Sequence, residues 1–209
     1  MHKEAKFWNK IAEKYSKEPI SDEDAYQKKL KITQGYFTPE TEVLELGCGT
    51  GSTALIHAPF VKHIRAIDVS SNMLEIARGK ADDQGIENIT FEVAACDELN
   101  IPDASIDVVM GMSILHLLDD KEALMAKVYR MLKPGGVFVS STACLTGFMK
   151  MLKPIIPIGA IFGKMPEVVK FFSSKELEKS LIDAGFVIDY QWQPDKGMAV
   201  FIVAKKPES

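Results

Sequence analysis

The 209-residue sequence predicts an α/β domain, a doubly wound and mostly parallel sheet of seven strands with helices on both faces. Three observations support this class. From Glu42 onward, short runs rich in β-branched residues alternate with helical patterns, as in βαβ units. Glycine or proline follows the ends of the helical patterns. The hydrophobic fraction of 46% is enough to bury one core, so we expect a single domain over residues 1–209.

Two helical segments precede the sheet, Glu4–Tyr15 and Asp22–Phe37, and Pro19 separates them. We expect residues 1–38 to form a helical cover. The strands follow in order, each a short apolar run: Val43–Leu46, Ile64–Asp68, Ile89–Val93, Ile106–Met110, Val137–Ser140, Val187–Trp192 and Ala199–Ala204.

Two of the helices between the strands have clear signals at their ends. Ser71–Gln84 carries apolar residues at helical spacing, and Gly85 follows as a stop. The last helix opens at Ser173, with Glu176 in capping-box spacing, and closes at Gly185. A third helix, Asp120–Leu132, is predicted to begin with Asp119 as its capping residue and to stop at the sequence Lys-Pro-Gly-Gly of residues 133–136.

Residues 143–172 break the alternation with an apolar stretch that contains several prolines and glycines. We expect a mobile, mostly helical lid here, over the strand ends where a ligand would lie. A dimer contact or a surface that leans on a membrane would explain the same composition. The stretch is interrupted by Lys150, Lys153, Pro154 and Pro157, so its longest apolar run is too short for a transmembrane helix.

Composition excludes several function classes. The net charge of -4, without a basic run, argues against nucleic acid as a partner. Cys48, Cys96 and Cys144 lie far apart and lack the spacing of metal ligands, so neither a zinc site nor a disulfide framework is expected. The first six residues carry charges where a signal peptide needs an apolar run, which predicts a cytoplasmic protein.

A glycine loop is the most informative segment of the chain. The predicted strand Val43–Leu46 runs directly into Gly47, Gly49 and Gly51, and such a loop lets a ligand approach the backbone closely. Asp68 ends the next strand, where doubly wound nucleotide-binding folds place a carboxylate for ribose hydroxyls. The spacing G-x-G-x-G differs from the dinucleotide pattern G-x-G-x-x-G. A tight turn without a ligand would also use such glycines.

Four motifs occur in order: "VLELGCGTG", "AIDVSSNMLEIAR", "IPDASIDVVMGMSILHLLDD" and "MLKPGGVFVSS". With them the sequence resembles the Rossmann-like, class I S-adenosylmethionine (SAM)-dependent methyltransferases, in the small-molecule branch that includes ubiquinone and menaquinone methyltransferases. The resemblance covers roughly residues 40–142. It implies an antiparallel last strand, SAM as methyl donor with S-adenosylhomocysteine as product, and a small-molecule acceptor whose methylated atom stays open. The apolar composition of residues 143–172 suggests that this acceptor is apolar or amphiphilic.

The resemblance also implies roles for individual residues. The backbone from Gly47 through Cys48 and Gly49 to Gly51 would hold the amino-acid part of SAM. Glu45 would support that loop, and Asp68 would bind the ribose. The remaining contacts would be Val69 and Met73 on the adenine faces, Cys96 and Asp97 at the adenine edge, and Met112 at the methyl end. Ala95 stands where the family has an aspartate, which puts the adenine contacts in doubt.

Two residues are candidates for the chemistry itself. His116 follows the fourth strand, where a base could take a proton from a phenol, thiol or carbon acid. Tyr15 ends the amphipathic N-terminal run and could place its ring against the sulfonium, or act as a base. For His116 the alternative is a partly buried histidine that is hydrogen-bonded to its own loop. For the run that ends at Tyr15 the alternative is a helix that only docks on the domain through its apolar face.

Some of the same residues fit other functions. An NAD(P)-dependent oxidoreductase would share the layout, and Tyr129 with Lys133 even imitates its Tyr-x-x-x-Lys pair. A SAM-binding module without turnover stays open. A nucleic-acid methyltransferase would need a polar-Pro-Pro-aromatic motif after the fourth strand, where this chain has Gly-Met-Ser-Ile at residues 111–114. The sequence leaves the oligomeric state open.

Overall fold

The structure is a computed structural model that describes residues 3–144, 166, 168–194 and 199–208. Its helices are α1 (Lys3–Ser16), α2 (Glu23–Gln34), α3 (Ser52–His57), α4 (Ser71–Gln84), α5 (Lys121–Met131) and α6 (Ser174–Asp183). Its strands are β1 (Glu42–Leu46), β2 (His63–Asp68), β3 (Ile89–Val93), β4 (Ile106–Met112), β5 (Leu132–Ala143), β6 (Val187–Trp192) and β7 (Ala199–Lys205).

The seven strands form one sheet in the order β3-β2-β1-β4-β5-β7-β6. β1 to β5 pair in parallel, and β7 runs antiparallel to both β5 and β6. The order reverses between β1 and β4, which is the point where open α/β sheets leave a crevice beyond the carboxyl ends of the strands. The predicted doubly wound sheet with an antiparallel last strand is confirmed.

Both faces of the sheet are buried, as a parallel sheet requires. Leu44, Val109 and Phe138 lie on one face beneath α5 and α6. On the other face, Val43 and Met110 pack with residues of α3 and α4. Alternate residues of each strand therefore supply two separate cores, and this explains why the strands are almost continuously hydrophobic.

The N-terminal helix α1 packs against α4 through small residues and one polar junction. Ala5 and Ala12 are buried, and Asn9 lies between them. The Asn9 Oδ1 atom accepts hydrogen bonds from the Ser70 hydroxyl at 2.7 Å and from the Asn72 backbone N–H at 3.1 Å. Because Ser70 caps α4 just after β2, this junction joins α1 to the strand end that carries the site.

Several boundaries differ from the sequence prediction; α2, for example, ends at Gln34 and not at Phe37. Two of the other differences have a structural cause. The N-cap of α5 is Asp120, not Asp119, because the Asp120 carboxylate accepts the Ala123 N–H at 2.8 Å while Asp119 pairs with Lys170. β5 starts at Leu132, immediately after α5, although the prediction began it at Val137. The strand starts there because Leu132 pairs with Ile106 of β4. Farther along, the Gly135 N–H donates to the Lys206 carbonyl at 3.0 Å, and the Lys206 N–H donates to the Gly136 carbonyl at 2.8 Å.

Residues 145–165 and 167 lie outside the described part of the chain, so the predicted lid stays a prediction. The described end of that segment lies beside the strand ends. There the Lys170 backbone N–H donates to the His116 carbonyl at 2.7 Å, and Phe172 is buried. None of the helices in the described ranges is long and apolar enough to cross a membrane.

Candidate functional site

A cavity of about 450 Å³, here called the donor cavity, lies beyond the carboxyl ends of β1, β2 and β4. The helix α1 forms its outer wall with Glu4, Trp8 and Tyr15. Ten of the sequence-predicted site residues line it together: Tyr15, Gly47, Gly49, Asp68, Val69, Met73, Cys96, Asp97, Met112 and His116. The fold therefore brings residues from five separate segments of the chain to one cavity.

A second cavity of about 480 Å³, here called the polar cavity, lies on the other side of the glycine loop. The α1–α2 connection, α2 and the end of β1 form its walls, and both Glu45 and Cys48 line it. Tyr15, Gly49 and Met112 line both cavities, so they stand at the junction between them. Gly51 lines neither cavity; it is the N-cap residue of α3.

Two of the loop glycines are required by the geometry, for different reasons. A Cβ at Gly47, whose φ is 64°, would come within 2.8 Å of the Ile114 side chain. At Gly49, whose φ is 54°, the nearest neighbour of a Cβ would be the Tyr15 ring at 3.9 Å. Gly47 thus permits close packing, whereas Gly49 leaves open space above the loop where a ligand can approach the backbone.

Most of the loop's N–H groups already have acceptors inside the protein. Cys48 donates to the Ile67 carbonyl at 2.9 Å, and Gly51 donates to the Cys48 carbonyl at 3.0 Å. Gly49 donates to the Asp68 carboxylate at 2.9 Å. These three donors are therefore engaged, which weakens the expectation that the loop backbone alone holds a ligand carboxylate.

Asp68 connects the glycine loop to α4. Its Oδ2 atom accepts the Gly49 N–H at 2.9 Å and its Oδ1 atom accepts the Ser70 N–H at 2.8 Å. Burial raises the pKa of this carboxyl, and the backbone donors oppose that shift. A carboxylate offers about four acceptor positions, so Asp68 can hold the loop and still accept from hydroxyls in the donor cavity.

Glu45 is fully buried at the end of β1, facing the polar cavity. Burial raises its pKa to about 8, and the nearby Asp68 charge adds to the shift. Its Oε2 atom has no hydrogen-bond partner among the described residues. Within the described chain no hydrogen bond joins Glu45 to the glycine loop, so any support it gives comes from packing.

Apolar side chains and the turn at Cys96 and Asp97 line another part of the donor cavity. Met73 is buried, Val69 is half-buried and Asp97 is exposed at the rim. Lys127 reaches from α5 to the Asp97 carbonyl at 2.7 Å and to the Cys96 carbonyl at 3.4 Å. Burial raises the pKa of the Cys96 thiol to about 12, so this side chain stays neutral.

His116 lies on a short 3-10 turn that follows β4. Its ring is half-buried, and its Nδ1 atom is buried without a partner among the described residues. Burial lowers its pKa, so the neutral imidazole prevails at pH 7 and can accept a proton. Ser113, with a φ of 59°, bends the chain between β4 and this turn and donates its N–H to the Ser141 carbonyl at 2.7 Å.

Tyr15 lies in the last turn of α1, between the two cavities, with its ring edge-on to Trp8 at 6.3 Å. Burial raises the pKa of the Tyr15 hydroxyl, and the Asp68 and Glu18 charges raise it further. A phenol that holds its proton this firmly is a poor base. The aromatic face is therefore what Tyr15 offers to a ligand.

Several lining residues were not found from the sequence. In the sequence, Trp8 fits the apolar face of a docking helix. Its position over the donor cavity depends on how α1 packs. Apolar residues near His116 complete the donor cavity: Ile114, Leu117, Leu118, Pro166, Val168 and Val169. The α2 side of the polar cavity was not predicted, because no pattern in the sequence marks Tyr26 and Lys29 as facing it.

A parallel sheet whose glycine loop and strand-end carboxylate border one cavity defines the Rossmann-like nucleotide-binding class. Residues 43–136 match the family model of a methyltransferase domain. This match over residues 43–136 confirms the resemblance to the class I SAM-dependent methyltransferases.

Individual proteins show the same likeness. The chain is 32% identical to an uncharacterized methyltransferase of Bacillus subtilis over 63% of its own length and 52% of that protein. It is 31% identical to a demethylmenaquinone methyltransferase of Leptospira interrogans over 64% of its length and 57% of that protein. The chain thus spans about half the length of these relatives.

A solved SAM-dependent methyltransferase of Mesorhizobium loti superimposes with a TM-score of 0.70 at 22% identity, covering 85% of this chain and 95% of that one. At this level of identity the likeness concerns the fold.

Proposed function

We propose that this protein transfers the methyl group of SAM to a small apolar or amphiphilic acceptor. The single observation that carries the proposal is the donor cavity itself. The open face of Gly49 and the Asp68 carboxylate border one space, and the predicted adenine-contacting residues line its inner end. A methyltransferase domain over residues 43–136 supports the same conclusion.

Each part of SAM would contact a different group of the residues that line the donor cavity. Asp68 would accept hydrogen bonds from the ribose hydroxyls, and Val69 with Met73 would pack against the adenine. Asp97 and the Cys96 backbone would meet the adenine edge. Met112 and Tyr15 stand at the junction of the cavities, where the ring of Tyr15 can face a sulfonium. SAM supplies an already activated methyl group, so the protein has mainly to orient the acceptor and exclude water.

The acceptor end of the cavity favours a neutral or apolar molecule. Leu117, Leu118 and Val169 contribute apolar surface there. The charged side chains that line the described part of the donor cavity are all carboxyl groups, those of Glu4, Asp68 and Asp97, so an anionic acceptor would be repelled. One relative is named as a methyltransferase of demethylmenaquinone, which supports a small-molecule acceptor.

His116 is the base in this proposal. Its neutral imidazole lines the apolar end of the cavity, and its Nδ1 atom is buried without a hydrogen-bond partner among the described residues. A phenol or thiol acceptor would lose its proton to this ring as the methyl group arrives. The described cysteines are all free and buried, which supports a reducing compartment, and we place the enzyme in the cytoplasm.

The two residues that suggested a dehydrogenase, Tyr129 and Lys133, do not lie at the site in this fold. Lys133 bonds to both oxygens of Asp107, at 2.8 and 2.9 Å, near the start of β4 and far from the carboxyl ends of the strands. Tyr129 stacks edge-on against Phe186. Neither residue lines the donor cavity or the polar cavity. A SAM-binding module without turnover is the remaining competitor.

The test is a coupled assay for S-adenosylhomocysteine release, run over quinols, phenols, thiols and amphiphilic amines. We expect turnover with a neutral ring acceptor and none with its carboxylated counterpart. An Asp68→Ala variant, assayed in parallel, controls for contaminating activity. SAM binding without turnover on any acceptor class would support the binding module and contradict the enzyme.

A further inference from the structure

The turn over residues 95–98, here called the edge turn, borders the donor cavity with two backbone donors that lack an acceptor. Ala95, Cys96 and Asp97 line the cavity. The Glu98 N–H closes the turn on the Ala95 carbonyl at 3.2 Å. Among the described residues, the N–H groups of Cys96 and Asp97 have no acceptor. A ligand atom that accepts from one of them would therefore stabilise the turn.

A lysine on α5 holds the edge turn. The Lys127 amine donates to the Asp97 carbonyl at 2.7 Å and to the Cys96 carbonyl at 3.4 Å. The helix that carries it is fixed to the sheet, since Leu124 and Met125 are buried. Lys127 binds the backbone of Asp97 and does not occupy its carboxylate. The carboxylate thus remains available to a ligand in the donor cavity.

The geometry of the peptide bond gives this contact a direction. In a planar trans peptide the carbonyl and the following N–H point in opposite directions. A cation that holds the Cys96 carbonyl therefore turns the Asp97 N–H away from α5. This is the side on which the turn borders the donor cavity, because Asp97 lines that cavity and Lys127 does not.

The edge turn has few other means of recognising a ligand. Ala95 offers no polar side-chain atom, and burial keeps the Cys96 thiol neutral. The Ala94 N–H donates to the Asp68 carbonyl at 3.1 Å, which fixes the chain before the turn but not the turn itself. Recognition then depends on the two backbone donors and one carboxylate, and these need a fixed backbone to be selective.

This set of groups distinguishes two kinds of purine. Adenine carries an amino group that donates, next to a ring nitrogen that accepts. A 6-oxopurine reverses both, with a carbonyl oxygen and a ring N–H in those positions. The Asp97 carboxylate and a backbone N–H fit the first pattern and oppose the second, and a site built for hydrogen bonds rejects a ligand that leaves them unpaired.

We propose that Lys127 is a positioning residue for base recognition, which holds the edge turn so that the donor cavity selects a 6-aminopurine over a 6-oxopurine. This inference rests on the proposed function, since it takes SAM as the ligand. Lys127 lies outside the cavity and acts through the backbone of Cys96 and Asp97.

The experiment compares two ligands by calorimetry, S-adenosylhomocysteine and S-inosylhomocysteine, which carries a purine carbonyl in place of the amino group. The wild type should prefer S-adenosylhomocysteine at least about tenfold. Lys127→Met should bind S-adenosylhomocysteine about tenfold more weakly and S-inosylhomocysteine almost unchanged, so the preference largely disappears. Lys127→Arg keeps a cation for the two carbonyls and should recover the preference. A purely structural role would weaken both ligands equally.

Arg130→Met is the matched control, because Arg130 is an exposed cation on α5 that lines neither cavity. It should keep the wild-type preference. Urea unfolding checks that each variant is folded, and Lys127→Gln replaces Lys127→Met if that variant does not fold. An unchanged preference without Lys127, an equal loss for both ligands, or a wild type without preference would overturn the inference. A wild-type protein that binds neither ligand would instead overturn the proposed function.

Discussion

Replacing Asp68 by alanine tests the donor site and the loop together. The carboxylate accepts two backbone hydrogen bonds, from Gly49 at 2.9 Å and from Ser70 at 2.8 Å, and the substitution leaves both donors without it. Hydrogen bonds to a charged partner contribute about 1.5–3 kcal/mol each, and water in the cavity offsets part of the loss. We therefore expect the free energy of unfolding to fall by about 2–4 kcal/mol.

Binding should weaken in the same variant, because the ribose loses its acceptor and the loop loses its anchor. A loss of at least about 1.4 kcal/mol would raise the Kd for S-adenosylhomocysteine tenfold or more. Urea unfolding measures the stability, and calorimetry measures the Kd. Asp82→Ala, which removes an exposed carboxylate from α4, is the control for net charge. Unchanged affinity for S-adenosylhomocysteine in Asp68→Ala would refute the ribose assignment.

Three further predictions concern the base, the helical cover and the buried acid. His116→Ala should lower kcat about 100-fold with the affinity for S-adenosylhomocysteine retained, and equal turnover would make His116 structural. Asn9→Ala removes the acceptor shared by Ser70 and Asn72, so S-adenosylhomocysteine should dissociate about tenfold faster in stopped-flow, whereas Asn9→Asp keeps the acceptor and the wild-type rate. The pKa of Glu45 rises from its ordinary value of 4.5 to about 8 on folding, so the folded state holds this proton more tightly and stability falls between those pH values. In Glu45→Gln that fall should be smaller by roughly 5 kcal/mol, and equal pH slopes would contradict the burial of this acid.

Elements with local signals could be predicted from the sequence. The helix over residues 71–84 and the strands over residues 89–93 and 187–192 have the expected bounds. The capping box of Ser173 and Glu176 is present, with both of its hydrogen bonds formed. Each of these features depends on residues that are close together in the chain, so the local sequence pattern is enough to predict it.

The features that the sequence did not predict depend on distant contacts. The start of β5 depends on the pairing of Leu132 with Ile106 in β4, and the choice between Asp119 and Asp120 as N-cap is affected by the ion pair of Asp119 with Lys170. The polar cavity arises where α2 meets the end of β1, and no periodicity marks Lys29 as facing it. Motifs indicated the donor-cavity residues, because strand ends of a parallel sheet meet at one edge.

A crystal structure with S-adenosylhomocysteine tests the central claim most directly. We predict that the adenosine lies in the donor cavity, with a ribose hydroxyl within about 3 Å of the Asp68 carboxylate and the adenine between Val69 and Met73. S-adenosylhomocysteine bound outside this cavity, or bound with its ribose away from Asp68, would contradict the assignment of the donor site.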